Sequence, residues 1–191
     1  MRIPTAHLIS GLPCSGKTTY AAVLRERTGG ILLLLDYWLI TLYGRYSLDH
    51  VGYPEHVRRV LACRQVISDI ACEFLRHGMD VILDDGFFLR EHRLQQITAF
   101  GSVTIDRGAT GHPHVRTHVV CVPLDVLGAR LEDRNANLPK HNFAVTPDML
   151  QRFVTIYEPP AADEGPELVH VVGTVKGTLA RKAEFPKWQP L

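Results

Sequence analysis

Lys17 and Thr18 close the stretch Gly11-Leu12-Pro13-Cys14-Ser15-Gly16-Lys17-Thr18, which satisfies the pattern G-x-x-x-x-G-K-[ST] in full. A short apolar run precedes it and a helical pattern follows. In such a loop the glycines let the main chain curl with several N–H groups pointing inward. The next helix adds the positive end of its dipole, so phosphates bind there. The spacing predicts a cradle made by Gly11, Pro13, Cys14, Ser15, Gly16, Lys17, Thr18 and Thr19. Lys17 is expected to reach the β- and γ-phosphates of a nucleoside triphosphate, and Thr18 to offer its hydroxyl to Mg²⁺. An ordinary strand-to-helix turn needs a glycine or two but has no use for the lysine and threonine.

Carboxylates stand after two further apolar runs. In "VILDDGFF" a pair of them follows a buried strand, as expected of an acid that holds Mg²⁺ directly or through water. Either Asp84 or Asp85 takes that role. In "ILLLLD" the strand is read as ending at Leu35, which fixes Asp36 at its carboxyl end as the candidate general base for a hydroxyl attacking the γ-phosphate. A cap or turn former is the bland alternative for each.

Arg130 and Arg134, four apart in "LGARLEDRNANLPKHN", share one helix face before a polar loop. Two guanidiniums there suit a lid that neutralises charge in phosphoryl transfer; a solvated helix with Glu132 and Asp133 as partners is the alternative. The histidines of "HPHVRTH" lack the cysteines or H-E-x-x-H pattern that would complete a zinc site. The stretch from Ser102 to Arg116 reads as a surface excursion, with a position over the active site as one reading.

These groups need elements to hold them. Apolar runs bounded by turns predict buried strands at His7 to Ser10, Ile31 to Leu35, Val81 to Leu83, His118 to Val122 and Leu168 to Val172. Helical patterns alternate with them: Thr18 to Arg27, Pro54 to His77, Arg90 to Phe100, Leu124 to Arg134 and Thr146 to Glu158. Such alternation predicts an α/β fold with a parallel sheet, and ligands sit beyond the carboxyl ends of its strands. Val57, Val60, Leu61, Ile67, Ile70, Ala71 and Phe74 make one apolar face of the second helix. Thr146 caps the last helix and Pro147 fits its first position.

The 191 residues suit one domain. We expect it over residues 1–175, with 176–191 a tail laid over it rather than a further element. Lys and Arg number 21 against 20 Asp and Glu, so composition supplies no electrostatic footprint for nucleic acid or an acidic membrane, though a local basic groove remains compatible with it. Cys14, Cys63, Cys72 and Cys121 show no C-x-x-C spacing and read as reduced thiols. The opening "MRIPTAHLISG" leads straight into the glycine loop and does not read as a signal peptide, and no apolar run approaches the ~20 residues that span a bilayer. The expectation is a cytoplasmic protein.

With those residues in hand, the chain resembles the small P-loop kinases, the group that includes chloramphenicol phosphotransferase, the kinase domain of phage polynucleotide kinase and the zeta toxins. "GLPCSGKTTYA", "LLLLDYW", "VILDDGFFLREHR", "LGARLEDR" and "AVTPDMLQRF" fall where these kinases carry the P-loop, the acceptor-side acid, the Walker-B-like acid, the lid arginines and the last helix. The resemblance implies a three-layer P-loop fold with a five-stranded parallel sheet and a small helical lid, ATP with Mg²⁺, and Asp36 as base toward a hydroxyl acceptor. Polynucleotide kinases carry an arginine three residues after that acid, where this chain has Leu39. The neighbourhood "DYWLITLYGRY" is mainly aromatic and aliphatic, which is typical of small-molecule sites. Arg45 is the residue there that could serve a phosphate-bearing acceptor. The reading is therefore a kinase acting on a small-molecule hydroxyl. A polynucleotide 5′-hydroxyl kinase and a nucleotide-dependent switch are the alternatives, with ATP against GTP and the oligomeric state left open.

Overall fold

The computed structural model describes residues 2–106, 111–173 and 179–181. The apolar run before the glycine loop is β1 (Thr5–Ser10), buried throughout, and the loop opens into α1 (Lys17–Thr28). There follow β2 (Ile31–Leu34), α2 (Leu35–Tyr43), α3 (Leu48–Val51), α4 (Tyr53–Arg76), β3 (Val81–Gly86), α5 (Arg90–Gly101), β4 (His114–Cys121), α6 (Leu124–Ala136), α7 (Pro147–Ile156), β5 (Glu167–Gly173) and β6 (Leu179–Arg181). The strands lie in the order β2-β3-β1-β4-β5-β6. β1 to β5 pair in parallel, as the alternation of strand and helix predicts, and β6 runs antiparallel at the edge beside β5. The tail, expected to add no element, thus contributes one short strand; residues 182–191 lie outside the described residues.

Side-chain alternation along the strands divides the core. Ala6, Leu8, Leu33, Val81 and Leu83 face one side, where Cys63, Ile67, Ala71 and Leu75 of α4 and Leu35 and Leu39 of α2 cover them. Ile9, Ile82, Val120 and Val171 face the other side, against Ala21 and Leu24 of α1. A separate apolar cluster of Leu12, Leu127, Leu131, Val145, Leu150 and Tyr157 joins α6 and α7 to the glycine loop. Thr146 caps α7 as expected, its hydroxyl accepting from Met149 N–H at 3.2 Å.

Several expectations are corrected. β2 ends at Leu34, and Leu35–Tyr43 is helical. Asp36 therefore stands in the first turn of α2 instead of at a strand end, because Leu35 and Leu39, four apart, are both drawn into the core. Leu61 is 51% exposed and lies off the buried stripe of α4. β4 starts at His114, whose N–H bonds Pro4 carbonyl at 2.9 Å, so the flanks of the 102–116 connection lie where the parallel strands begin, at the opposite end of β1 from the glycine loop. Its described flanks carry the buried side chains of Val103 and Ile105. The histidines of "HPHVRTH" part company: His112 bonds the Val103 carbonyl, while buried His118 sits between His7 and Tyr20 at 2.9 and 2.7 Å.

Candidate active site

The glycine loop makes its curl with left-handed backbone at Gly11 (φ 150), Cys14 (φ 63) and Gly16 (φ 100). At Gly11 the requirement is also steric, since a Cβ would stand 2.5 Å from the Val120 carbonyl oxygen. Gly11 N–H bonds Gly86 carbonyl at 3.1 Å, which ties the loop to the end of β3. α1 begins with no side-chain cap and no acid in its first turn, so its opening N–H groups stay available to an anion. Among the described residues buried Ser15 Oγ has no hydrogen-bond partner. The Lys17 ammonium folds back onto the Leu12 carbonyl at 2.8 Å. Desolvation lowers its pKa, against the pull of the Asp84 and Asp36 carboxylates.

The structure separates the two adjacent acids. In the β1–β3 register Ile9 faces Asp84 and Ser10 faces Gly86, a bulge that leaves Asp85 as the extra residue. Asp84 turns to the α1 side, where its Oδ2 accepts from Thr18 Oγ1 at 2.6 Å. Asp85 turns to α4, where both its oxygens are taken by Arg64 at 2.5 and 2.7 Å. Arg64 also meets His92 Nδ1 at 2.9 Å. A carboxylate engaged in this way by a guanidinium is not a free metal ligand, so the pairing of Asp85 with Thr18 is not formed. In the sequence Arg64 carries one signal, a place beside Cys63 at the border of the buried stripe of α4.

Asp36 is half-buried and close enough to the P-loop for Lys17 to act on it. Burial, and after it the negative charge of Asp84, raises its pKa to about 6, while Lys17 and Arg134 pull the other way. Burial likewise raises Asp84, opposed by Lys17 and the Thr18 hydroxyl. Lys17, Asp84 and Asp36 thus form one coupled group at the ends of β1, β3 and β2.

Arg130 and Arg134 both reach the loop. Arg130 Nη1 donates to the carbonyls of Cys14 and Ser15 at 3.3 and 3.2 Å, and Arg134 approaches Cys14 Sγ at 3.9 Å while donating to the Phe143 carbonyl at 3.0 Å. On the far side of Asp36 the neighbours are rings. Tyr37 meets His141 with centroids 4.7 Å apart, and Tyr46 meets Phe143 at 5.0 Å and His56 at 5.9 Å. Arg59 lies over Tyr43 and Tyr46 at 4.9 and 4.8 Å and bonds Glu55. Leu39, three residues after Asp36, is 2% exposed and packs in the core.

A family model described as an AAA domain matches residues 7–160. The chain belongs to this AAA domain family. Its fold is that of P-loop kinases. A candidate kinase from Chloroflexus aurantiacus j-10-fl superposes with a TM-score of 0.69 at 18% identity, over 91% of this chain and 90% of that one. A sugar kinase from Janibacter sp. HTCC2649 gives 0.61 at 16%, over 88% and 85%. A chain of the Pnkp1/Rnl/Hen1 RNA repair complex gives 0.60 at 18%, over 81% of this chain and 44% of that one. Among curated proteins none matches the sequence with significance.

For this AAA domain the residues present fit a nucleotide with its metal ion. The uncapped helix start, the unpartnered Ser15 hydroxyl and the inward-folded Lys17 are groups that a phosphate chain would satisfy. Among the described residues no three His, Cys, Asp or Glu side chains are grouped to hold a metal alone. The Thr18 hydroxyl and the Asp84 carboxylate, 2.6 Å apart, are hard oxygen donors of the kind that suits an ion completed by phosphate oxygens and water. Among the described residues no helix is long and apolar enough to cross a membrane.

Proposed function

We propose that this AAA domain, spanning residues 1–175 of a cytoplasmic protein, is an ATP-dependent phosphotransferase that moves the γ-phosphoryl group to a hydroxyl of a small uncharged molecule. When bound, ATP supplies the phosphoryl group and Mg²⁺ the charge that offsets its oxygens. Lys17 leaves the Leu12 carbonyl for the β- and γ-phosphates. Thr18 and Asp84 hold the ion, and Arg130 and Arg134 lie over the loop to meet charge on the transferring group. Asp36 accepts the proton of the incoming hydroxyl.

The observation that carries the reading is the state of the guanidiniums around the Asp36 cleft. Arg45 is bonded to the Pro139 and Lys140 carbonyls, Arg59 to Glu55 and two tyrosine faces, and Arg64 to Asp85 and His92. A phosphate or carboxylate on the acceptor would have to strip one of them from its partner. Neutral rings and hydroxyls meet tyrosine, histidine and phenylalanine at no such cost. The polynucleotide 5′-hydroxyl reading, which the RNA repair neighbour keeps in view, needs cations for the strand's phosphates and a steep salt dependence.

Transfer of labelled γ-phosphate to matched pairs of acceptors, each pair alike but for one anionic group, tests this. Faster labelling of the neutral members is expected; faster labelling of the anionic members, or of oligonucleotides, would overturn it. Asp36→Asn is expected to keep ATP affinity and to lose transfer by ~10²- to 10⁴-fold. Full turnover in that variant removes Asp36 as base.

A further inference from the structure

The connection from α6 to α7, residues 137–146, is tied to two different parts of the molecule. On the lid side, Asn135 Nδ2 donates to the Val145 carbonyl at 2.7 Å and Val145 N–H returns to Asn135 Oδ1 at 3.4 Å. Buried Val145 anchors that end in the α6–α7 cluster. On the acceptor side, Arg45, in the link between α2 and α3, donates from Nη2 to the carbonyls of Pro139 and Lys140, each at 2.9 Å. The rings of His141 and Phe143 settle beside Tyr37 and Tyr46 of the same side. Tyr37 is the residue after Asp36, and Arg134, near the start of the connection, acts on the Asp36 charge, so the connection runs beside that carboxylate.

Arg45 is exposed and contributes nothing to the core, so its bonds have no packing purpose. A cation donating to carbonyl oxygens in this way biases a loop toward one position by roughly tenfold at a solvated site. We propose that Arg45 is a positioning residue, a latch that holds the α6–α7 connection closed as the roof of the acceptor cleft. This rests on the assignment of the Asp36 cleft to the acceptor. The closed roof keeps water from the γ-phosphoryl group and holds the acceptor hydroxyl against Asp36, as closing lids do in other enzymes. With its guanidinium engaged by the latch, Arg45 acts on the roof and not as the ligand of a phosphate-bearing acceptor that it could otherwise be.

The Lys140–His141 peptide bond gives a direct readout, because its carbonyl is one of the oxygens that Arg45 holds. Limited trypsinolysis of the full chain, followed by mass spectrometry, measures cleavage there in the wild type, Arg45→Ala and Arg45→Lys. Cleavage after Lys140 is expected to rise about tenfold in Arg45→Ala, with an intermediate rate in Arg45→Lys and cutting at other shared sites unchanged. Equal rates in all proteins would overturn the latch whatever the enzyme's substrate. With an acceptor identified by labelling, Arg45→Ala should raise its KM and the ratio of ATP hydrolysis to transfer, leave the KM for ATP unchanged, and be partly rescued by Arg45→Lys. Loss of phosphorylated acceptors alone, with trypsin cleavage unchanged, would instead make Arg45 a ligand and refute the proposal. Faster cleavage in Arg45→Ala together with an unaltered Asp36→Asn enzyme would leave the latch standing and remove only the acceptor assignment beneath it.

Discussion

Arg64 grips both oxygens of Asp85, at 2.5 and 2.7 Å, and so leaves the neighbouring Asp84 as the carboxylate that meets the P-loop through Thr18. Adjacent residues with the same side chain thereby acquire different duties. Asp84→Asn should weaken Mg²⁺-dependent nucleotide use with little effect on folding, measured by nucleotide titration with and without Mg²⁺. Asp85→Asn should spare the Mg²⁺ requirement and cost ~2 kcal/mol of stability, because Arg64 loses the charge it faces in a mostly buried place. The reverse pattern would exchange the two assignments.

The pH profile of transfer should carry the signature of Asp36. With its pKa raised to about 6, first by burial and then by Asp84, the base is protonated below that value. The rate is expected to fall roughly tenfold per pH unit on the acid side. A plateau extending to pH 5 would contradict Asp36 as the proton acceptor.

Arg93, fully buried at the start of α5, donates to both oxygens of Glu164 at 2.7 Å and to the Phe87 carbonyl at 2.9 Å. This fork clamps the short 3-10 turn Ala162–Glu164 onto the link after β3, where Phe87 is held at a left-handed φ of 44. Arg93→Ala leaves a buried carboxylate without its partner and should cost ~3–5 kcal/mol in a denaturant titration. Arg93→Met combined with Glu164→Leu should cost less than Arg93→Ala alone, since neither charge is then stranded. A single-variant cost under ~1 kcal/mol would show that the pair is not a clamp.

His7, buried beneath α1 and bonded to His118, has its pKa lowered to about 4, chiefly by burial. Between pH 6.5 and 4 the unfolded chain binds a proton there that the folded chain refuses, so stability is full above that window and falls as pH drops through it. Between pH 7 and pH 5 the loss from this group is about 2 kcal/mol. Asp36 acts with the opposite sign, since its raised pKa lets the folded chain keep a proton between 3.8 and about 6. His7→Gln keeps a hydrogen-bonding side chain but does not titrate there. Its denaturation midpoint should fall less than the wild type's from pH 7 to pH 5, and parallel curves would rule His7 out as the source.

What was legible in the sequence is what local chemistry decides. The glycine spacing, lysine and threonine of the P-loop are consecutive along the chain, so their purpose can be read without knowing what lies across from them. The same holds for the parallel sheet, since strand and helix periods are local and their alternation permits few arrangements, and for the cap of α7 at Thr146. The partition between Asp84 and Asp85 was not legible. It depends on a bulge against β1 and on an arginine 21 residues away on α4. The position of Asp36 on α2 is not legible either, because "ILLLLD" has no mark for the residue at which burial changes from a strand's alternation to a helix face. Arg45 reads locally as a residue that could serve a phosphate-bearing acceptor, and its bonds to carbonyls 94 and 95 residues further on are beyond any local reading. Sequence fixes which groups are available. Hydrogen bonds and charges act over a few ångströms in space, so only the packed structure decides which of those groups meet and which are already taken.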